Sequence, residues 1–151
     1  METIIEQTTE TLNDLILINN DRYEGYQKAM KEIKDADLKN LFSKFSKQSQ
    51  TNNESLRSLV PASEDTPDED ETHLSGKIHR MWMDLKTALD SDDREKILSS
   101  CEYGEDVAKK AYEDALADRK QLSPDAVTMI QEQYDEILKA HEEIRSLRDN
   151  E

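Results

Sequence analysis

Apolar residues recur along this chain in steps of three and four, the period of helices that bury one face. The first run, from about Thr3 to Lys34, sets Ile4, Ile5, Leu12, Leu15, Ile16, Tyr23, Tyr26, Met30 and Ile33 on one stripe. Asp35-Ala36-Asp37 interrupts it, and either Asp can cap a second helix, from Ala36 to Val60, by accepting its free N–H groups. That helix buries Leu38, Leu41, Phe42, Phe45, Leu56 and Leu59 and stops before Pro61. So short a connection predicts an antiparallel hairpin. The acidic stretch Pro61 to Glu71 reads as a loop, and Thr72 to Leu89 as a shorter helix with Leu74, Ile78, Met81, Trp82, Leu85 and Leu89 on one side. Fused with the next run it would reach about 68 Å at 1.5 Å per residue, far beyond its neighbours. A break is therefore expected near Ser91, with Ser91 or Asp92 capping a helix from Asp92 to Asp118. Ser123-Pro124, an N-cap followed by proline at the first helical position, opens the last helix, which ends at Asp149. The pattern predicts one all-α domain over residues 1–151: a four-helix bundle with an additional shorter helix between the second and third bundle helices.

Each long helix also carries polar residues where its inward face should be apolar. These are Asn19 in the first, Gln48, Ser49 and Asn52 in the second, Glu105 in the third and His141 in the last. Burying an unpaired neutral polar group costs on the order of 2–7 kcal/mol, so four helices polar at similar depth predict a shared polar layer. With Ile97 at 0°, Glu105 falls at about 80°, inside the arc of Cys101, Ala108 and Tyr112, and Glu102 falls at its edge. The two glutamates could exchange places in a supercoil. His141 sits among Ile130, Tyr134, Ile137 and Ile144.

Three readings of the layer follow. Carboxylate di-metal bundles take one Glu from each of two helices and Glu-x-x-His from each of the others. Laid on this chain, that template falls on Asn19, on Ser49 and Asn52, on Glu105 or Glu102, and on Leu138 and His141. One Glu and one His survive of six ligands, too few carboxylates to neutralise two metal ions. A single weakly held divalent ion, iron or manganese, would use Glu105 and His141 with help from Glu102. A neutral or charge-paired network of Glu105, His141, Asn19, Gln48, Ser49 and Asn52 would instead fix helix register. The third reading is preferred, so no cofactor is expected.

Composition narrows the rest. The formal net charge is −15, which argues against nucleic acid and anionic membrane surfaces as partners. Cys101 stands alone, so an intramolecular disulfide or a Cys-based metal set is excluded. The acidic loop has Pro67 where a calcium-binding EF-hand loop would need its Gly-centred spacing. His79 and His73 read as surface or packing residues and Trp82 as a core anchor, while Gly25, Gly76 and Gly104 stand too far apart for a phosphate loop. The N-terminus shows no basic and apolar leader, and no run has the roughly 18 apolar residues of a membrane helix. A cytoplasmic location is expected, with a homodimer among the expected partners.

Several stretches carry a family resemblance: Leu12-Asn-Asp-Leu-Ile16, Tyr23-Glu-Gly-Tyr26, His79-Arg-Met-Trp-Met-Asp-Leu-Lys86, Gly104-Glu-Asp106 with Ala111-Tyr112, and Ala140-His141 through Ile144 to Asp149. The chain resembles a bacterial family of uncharacterised four-helix-bundle proteins in the ferritin-like superfamily. The resemblance implies a ferritin-like bundle in which a traverse after the second helix, supplied by Thr72–Leu89, makes the third helix parallel to it. It brings no established activity. The expected function is that of a non-enzymatic helical bundle, stress-related by analogy, acting through protein or small-ligand contacts. The alternative is a ferritin-like metal-binding protein or metal-dependent oxidoreductase with a degenerate site.

Overall fold

The computed structural model describes residues 3–62, 64–68 and 94–149. Among them are four long helices and no strand: α1 (Ile4–Glu32), α2 (Ala36–Leu59), α3 (Arg94–Ala117) and α4 (Pro124–Asp149), with a short 3-10 turn at Arg119–Gln121 before α4. The shorter helix expected over Thr72–Leu89, with His73, His79, Trp82 and the Ser91 or Asp92 cap, lies outside the described residues.

Local chemistry sets the helix ends. Thr3 Oγ1 accepts the Glu6 N–H at 3.1 Å, and Ser123 Oγ accepts the Ala126 N–H at 3.4 Å, each satisfying one of the free donors of a first turn. Asp35 stands at the N-cap position of α2 without making the side-chain bond expected of it. Its carboxylate faces Arg94 instead, at 2.9 Å, and Arg94 also holds Asp37 at 2.8 Å. That hydrogen bond to Arg94 keeps the Asp37 carboxyl below its ordinary value.

The Arg94 tether fixes the topology. It sets the start of α3 beside the α1–α2 turn. At the other end of the bundle, the Ser123 N–H donates to Thr8 Oγ1 at 3.1 Å, so α4 begins beside the start of α1. Hence α3 runs parallel to α2, and α4 parallel to α1. The end of α2 and the start of α3 therefore stand at opposite ends of the bundle, about 36 Å apart for a helix of 24 residues. Residues 64–68 run up along α1: Asn13 Nδ2 donates to the Asp65 carbonyl and, two turns higher, Asn20 Nδ2 donates to the Asp68 carbonyl, both at 2.9 Å.

Packing follows a ladder of three- and four-residue steps on every helix. The inward positions are Leu12, Leu15, Asn19, Arg22, Tyr26, Ala29 and Ile33 on α1, and Leu38, Phe42, Phe45, Ser49, Asn52 and Leu56 on α2. On α3 they are Ile97, Cys101, Glu105, Ala108, Tyr112 and Ala115, and on α4 Ala126, Ile130, Gln133, Ile137, Ala140 and Ile144. Ile4 and Ile5, expected on the α1 stripe, are instead 55% and 62% exposed. The buried apolar residues fall into two clusters. One, around Leu12, Leu56, Ala115 and Ile130, fills the end near Ser123; the other, around Tyr26, Phe42, Ile97 and Ile144, fills the end near Arg94. Polar side chains occupy the ladder positions between them.

Candidate functional site

Two tiers make up the polar layer, and each is built from ladder positions. The upper tier is a buried ion pair. Arg22 Nε donates to Glu105 Oε1 at 2.8 Å, with side chains 4% and 1% exposed. Tyr26 donates its hydroxyl to the same oxygen at 2.5 Å, and Arg22 Nη1 donates to Ser49 Oγ at 2.9 Å and to the Phe45 carbonyl at 3.4 Å. The guanidinium also lies over the Tyr26 and Phe45 rings, 5.6 and 5.5 Å from their centroids. Those ring faces offset part of its lost hydration. Burial works against the charge on Arg22, but the neighbouring Glu105 carboxylate outweighs it and holds the guanidinium above its ordinary value.

The lower tier is a closed hydrogen-bonded ring through all four helices. Asn19 Nδ2 on α1 donates to the Tyr112 hydroxyl on α3 at 2.8 Å, and that hydroxyl donates to Gln133 Oε1 on α4 at 2.6 Å. Gln133 Nε2 donates to the Asn52 carbonyl on α2 at 3.1 Å, and Asn52 Nδ2 donates back to Asn19 Oδ1 at 3.2 Å. A slip of any helix by one ladder step would break two of these bonds. Each is worth about 0.5–1.5 kcal/mol when made, and a buried group stranded without a partner costs about 1–3 kcal/mol. The ring therefore holds the relative height of the four helices.

The candidate residues separate clearly on this geometry. Asn19, Ser49, Asn52 and Glu105 meet in the two tiers, joined by Arg22, Tyr26, Tyr112 and Gln133. Glu105 is the inward glutamate. Glu102 sits at the α3–α4 seam with Arg148 as its partner. Gln48 lies one residue off the α2 ladder, half-buried, and donates to Glu136 at 3.2 Å rather than into the layer. His141 lies one residue off the α4 ladder, beside inward Ala140, and its Nε2 pairs with Asp106 Oδ1 at 2.5 Å. It does not face Glu105. The inward polar position expected of His141 on α4 is taken by Gln133. Counting Tyr134 as a core residue turns the apparent apolar centre toward His141, whereas Tyr134 is half-buried and bonds to exposed Glu113.

Arg22 and Gln133 are the residues that sequence reasoning missed. Both sit on a strict ladder, Arg22 between Asn19 and Tyr26 and Gln133 between Ile130 and Ile137. That spacing, applied to every residue rather than to apolar ones alone, marks both.

A cation is already present in the layer, as a guanidinium. Among the described residues, no group of three or more His, Cys, Asp or Glu stands together to hold a metal ion. The donors in the layer are mostly amides and hydroxyls, and its one carboxylate is neutralised by Arg22. The residues of this layer do not fit a di-metal centre. Nor does Cys101, on the α3 ladder beside Glu105, supply a ready nucleophile. Burial, reinforced by the charge of Glu105, pushes the Cys101 thiol far up, so the reactive thiolate is suppressed.

Two measurements check this arrangement. Burial, then the Glu105 carboxylate, raises the Tyr26 phenol well above its ordinary value of 10, and burial raises Tyr112 despite the bond from Asn19. Groups raised in the folded state contribute stability below their unfolded value and lose it as pH rises. Unfolding free energy should hold up to about pH 10 and then fall by about 1.4 kcal/mol per pH unit for each of the two. In an absorbance titration at 295 nm, Tyr26 and Tyr112 should ionise only with unfolding, as Tyr26→Phe and Tyr112→Phe variants would identify. Ionisation of both near pH 10 in the folded protein would contradict the tiers. Separately, Gln133→Leu leaves the buried Tyr112 hydroxyl without its acceptor and should cost about 1–3 kcal/mol in urea denaturation. His141→Leu leaves only the solvent-exposed carboxylates of Asp106 and Glu142 behind and should change stability by about 1 kcal/mol or less. The reverse order would return His141 to the layer.

No curated protein matches the chain. The positions that build the upper tier and three of the four in the lower fall within the stretch that a family profile recognises. Residues 7–118, about three-quarters of the chain, match the family described as Domain of unknown function (DUF2383), and the chain belongs to that family.

Proposed function

We propose that this protein is a non-enzymatic member of the ferritin-like class, a helical bundle that works through contacts with a protein or small ligand. One observation carries the reading: the Arg22 guanidinium supplies, inside the core, the positive charge that a metal would supply. A layer neutralised this way needs no metal to be buried. The parallel run of α2 and α3, and the placing of Asn19, Ser49 and Asn52 where a di-metal bundle has its ligands, support the ferritin-like class. In this reading the protein acts in the cytoplasm and carries a stress-related role by analogy with that class.

A degenerate metal-binding protein or metal-dependent oxidoreductase is the second reading. The observation in its favour is Glu105 Oε2, a buried carboxylate oxygen without a hydrogen-bond partner among the described residues. Arg22 Nη2 is likewise without one. Orphaned atoms on a buried ion pair cost stability and mark a layer kept for specificity rather than strength.

Elemental analysis decides between the two. Protein incubated with ferrous iron or manganese and then desalted should retain well under one ion per chain. Retention of two equivalents, lost on Glu105→Ala, would overturn the non-enzymatic reading and establish the second.

A further inference from the structure

The hairpin partners α1 and α2 pack closely along their length, and so do α3 and α4, but the α1–α3 seam is looser. A groove of about 660 Å³ runs along it, between Gln7 and Ile18 on α1 and between Tyr103 on α3 and Asp118 just past its end. Its floor is apolar: Leu15 and Ile18 from α1 and Val107, Ala111 and Ala115 from α3. The two alanines, with the smallest side chains in the floor, leave it open. Three large apolar side chains are exposed among the described residues, and two of them extend this feature. Tyr103, 42% exposed, stands at its upper end, and Ile4, 55% exposed, continues the α1 face one turn below Gln7.

The rim is acidic. Asp14 lines it on one side, and Asp106, Asp114 and Asp118 on the other. Lys110 is the one basic lining residue and already pairs with Asp114 at 3.3 Å. Asp106 pairs with His141, yet its side chain is 54% exposed and lines the groove. An apolar floor between carboxylate rims is the complement of a helix with an apolar stripe flanked by Lys or Arg. The length agrees: from Tyr103 to the end of α3 is about 21 Å, which matches roughly four turns, or 15 residues, of a partner helix. A second copy of this chain is a poor occupant, because a formal charge of −15 opposes another −15 across an acidic rim.

We propose that the α1–α3 groove is the docking site for a basic amphipathic helix of a partner protein. This rests on the reading of the chain as a contact-making bundle and names the partner class.

The test uses the full chain and a fluorescein-labelled synthetic helix of 15 residues, with Leu at three- and four-residue spacing and Lys beside the stripe, followed by fluorescence anisotropy. The peptide should bind, about tenfold more weakly in 300 mM than in 50 mM salt, and a peptide with Glu in place of Lys should not bind. Ala111→Arg fills the floor and Tyr103→Glu removes the upper apolar contact; each should weaken binding at least tenfold while circular dichroism stays helical. The α2–α4 seam, where Met129 lies with Glu132, Asp135 and Glu136, is a second acidic groove and serves as the control. Met129→Arg should leave affinity within about twofold. Equal weakening by Met129→Arg and Ala111→Arg would reduce the interaction to general attraction to acid surface and overturn the proposal. So would absence of binding, or a dimer in solution that Ala111→Arg disperses. None of these outcomes depends on metal retention, so failure of the groove and failure of the non-enzymatic reading are told apart.

Discussion

The bundle is organised around the need to neutralise a charge at its centre. Glu105 is 1% exposed, and an isolated carboxylate at that depth would protonate or pull water inward. Arg22 answers it from the opposing helix, with Tyr26 and Ser49 completing the shell. The guanidinium is buried as deeply and has Glu105 as its counter-charge, so each partner makes the other tolerable. Positions on α1, α2 and α3 are thereby tied together at one height. The ring of Asn19, Tyr112, Gln133 and Asn52 adds α4 to the same reference level.

This constraint explains why the apolar core is divided. Two clusters, one at each end, supply most of the burial free energy. Apolar packing alone is permissive, since Leu, Ile and Ala ladders can slide by a turn at modest cost. Directional bonds between the clusters remove that freedom. At the far end of the bundle, Arg94 sets the start of α3 against Asp35 and Asp37 and adds a second directional tether.

Helices, their approximate limits and the polar layer were legible in the sequence, because the three- and four-residue spacing survives wherever a side chain faces inward. Asn19, Ser49, Asn52 and Glu105 stand out as interruptions of an apolar pattern. Arg22 did not, because an arginine in a chain with so many charges reads as surface. Its role appears only when Glu105 is set opposite it, a pairing across 83 residues of sequence. His141 misled for the opposite reason: an imidazole near an apolar stripe resembles a ligand, and a displacement of one residue turns it toward Asp106. Gln48 failed in the same way beside Ser49. Angular position around a helix is read to within about one residue from sequence, which separates a core partner from a seam partner poorly.

The fold and the proposed non-enzymatic reading both rest on Arg22 and Glu105 forming an interdependent buried pair. A double-mutant cycle in urea denaturation tests it most directly. Arg22→Met and Glu105→Leu should each destabilise by about 3–5 kcal/mol, since each leaves the other charge buried alone. The double variant should recover most of that loss. Additive losses, with the double variant as unstable as the sum of the two, would contradict the account.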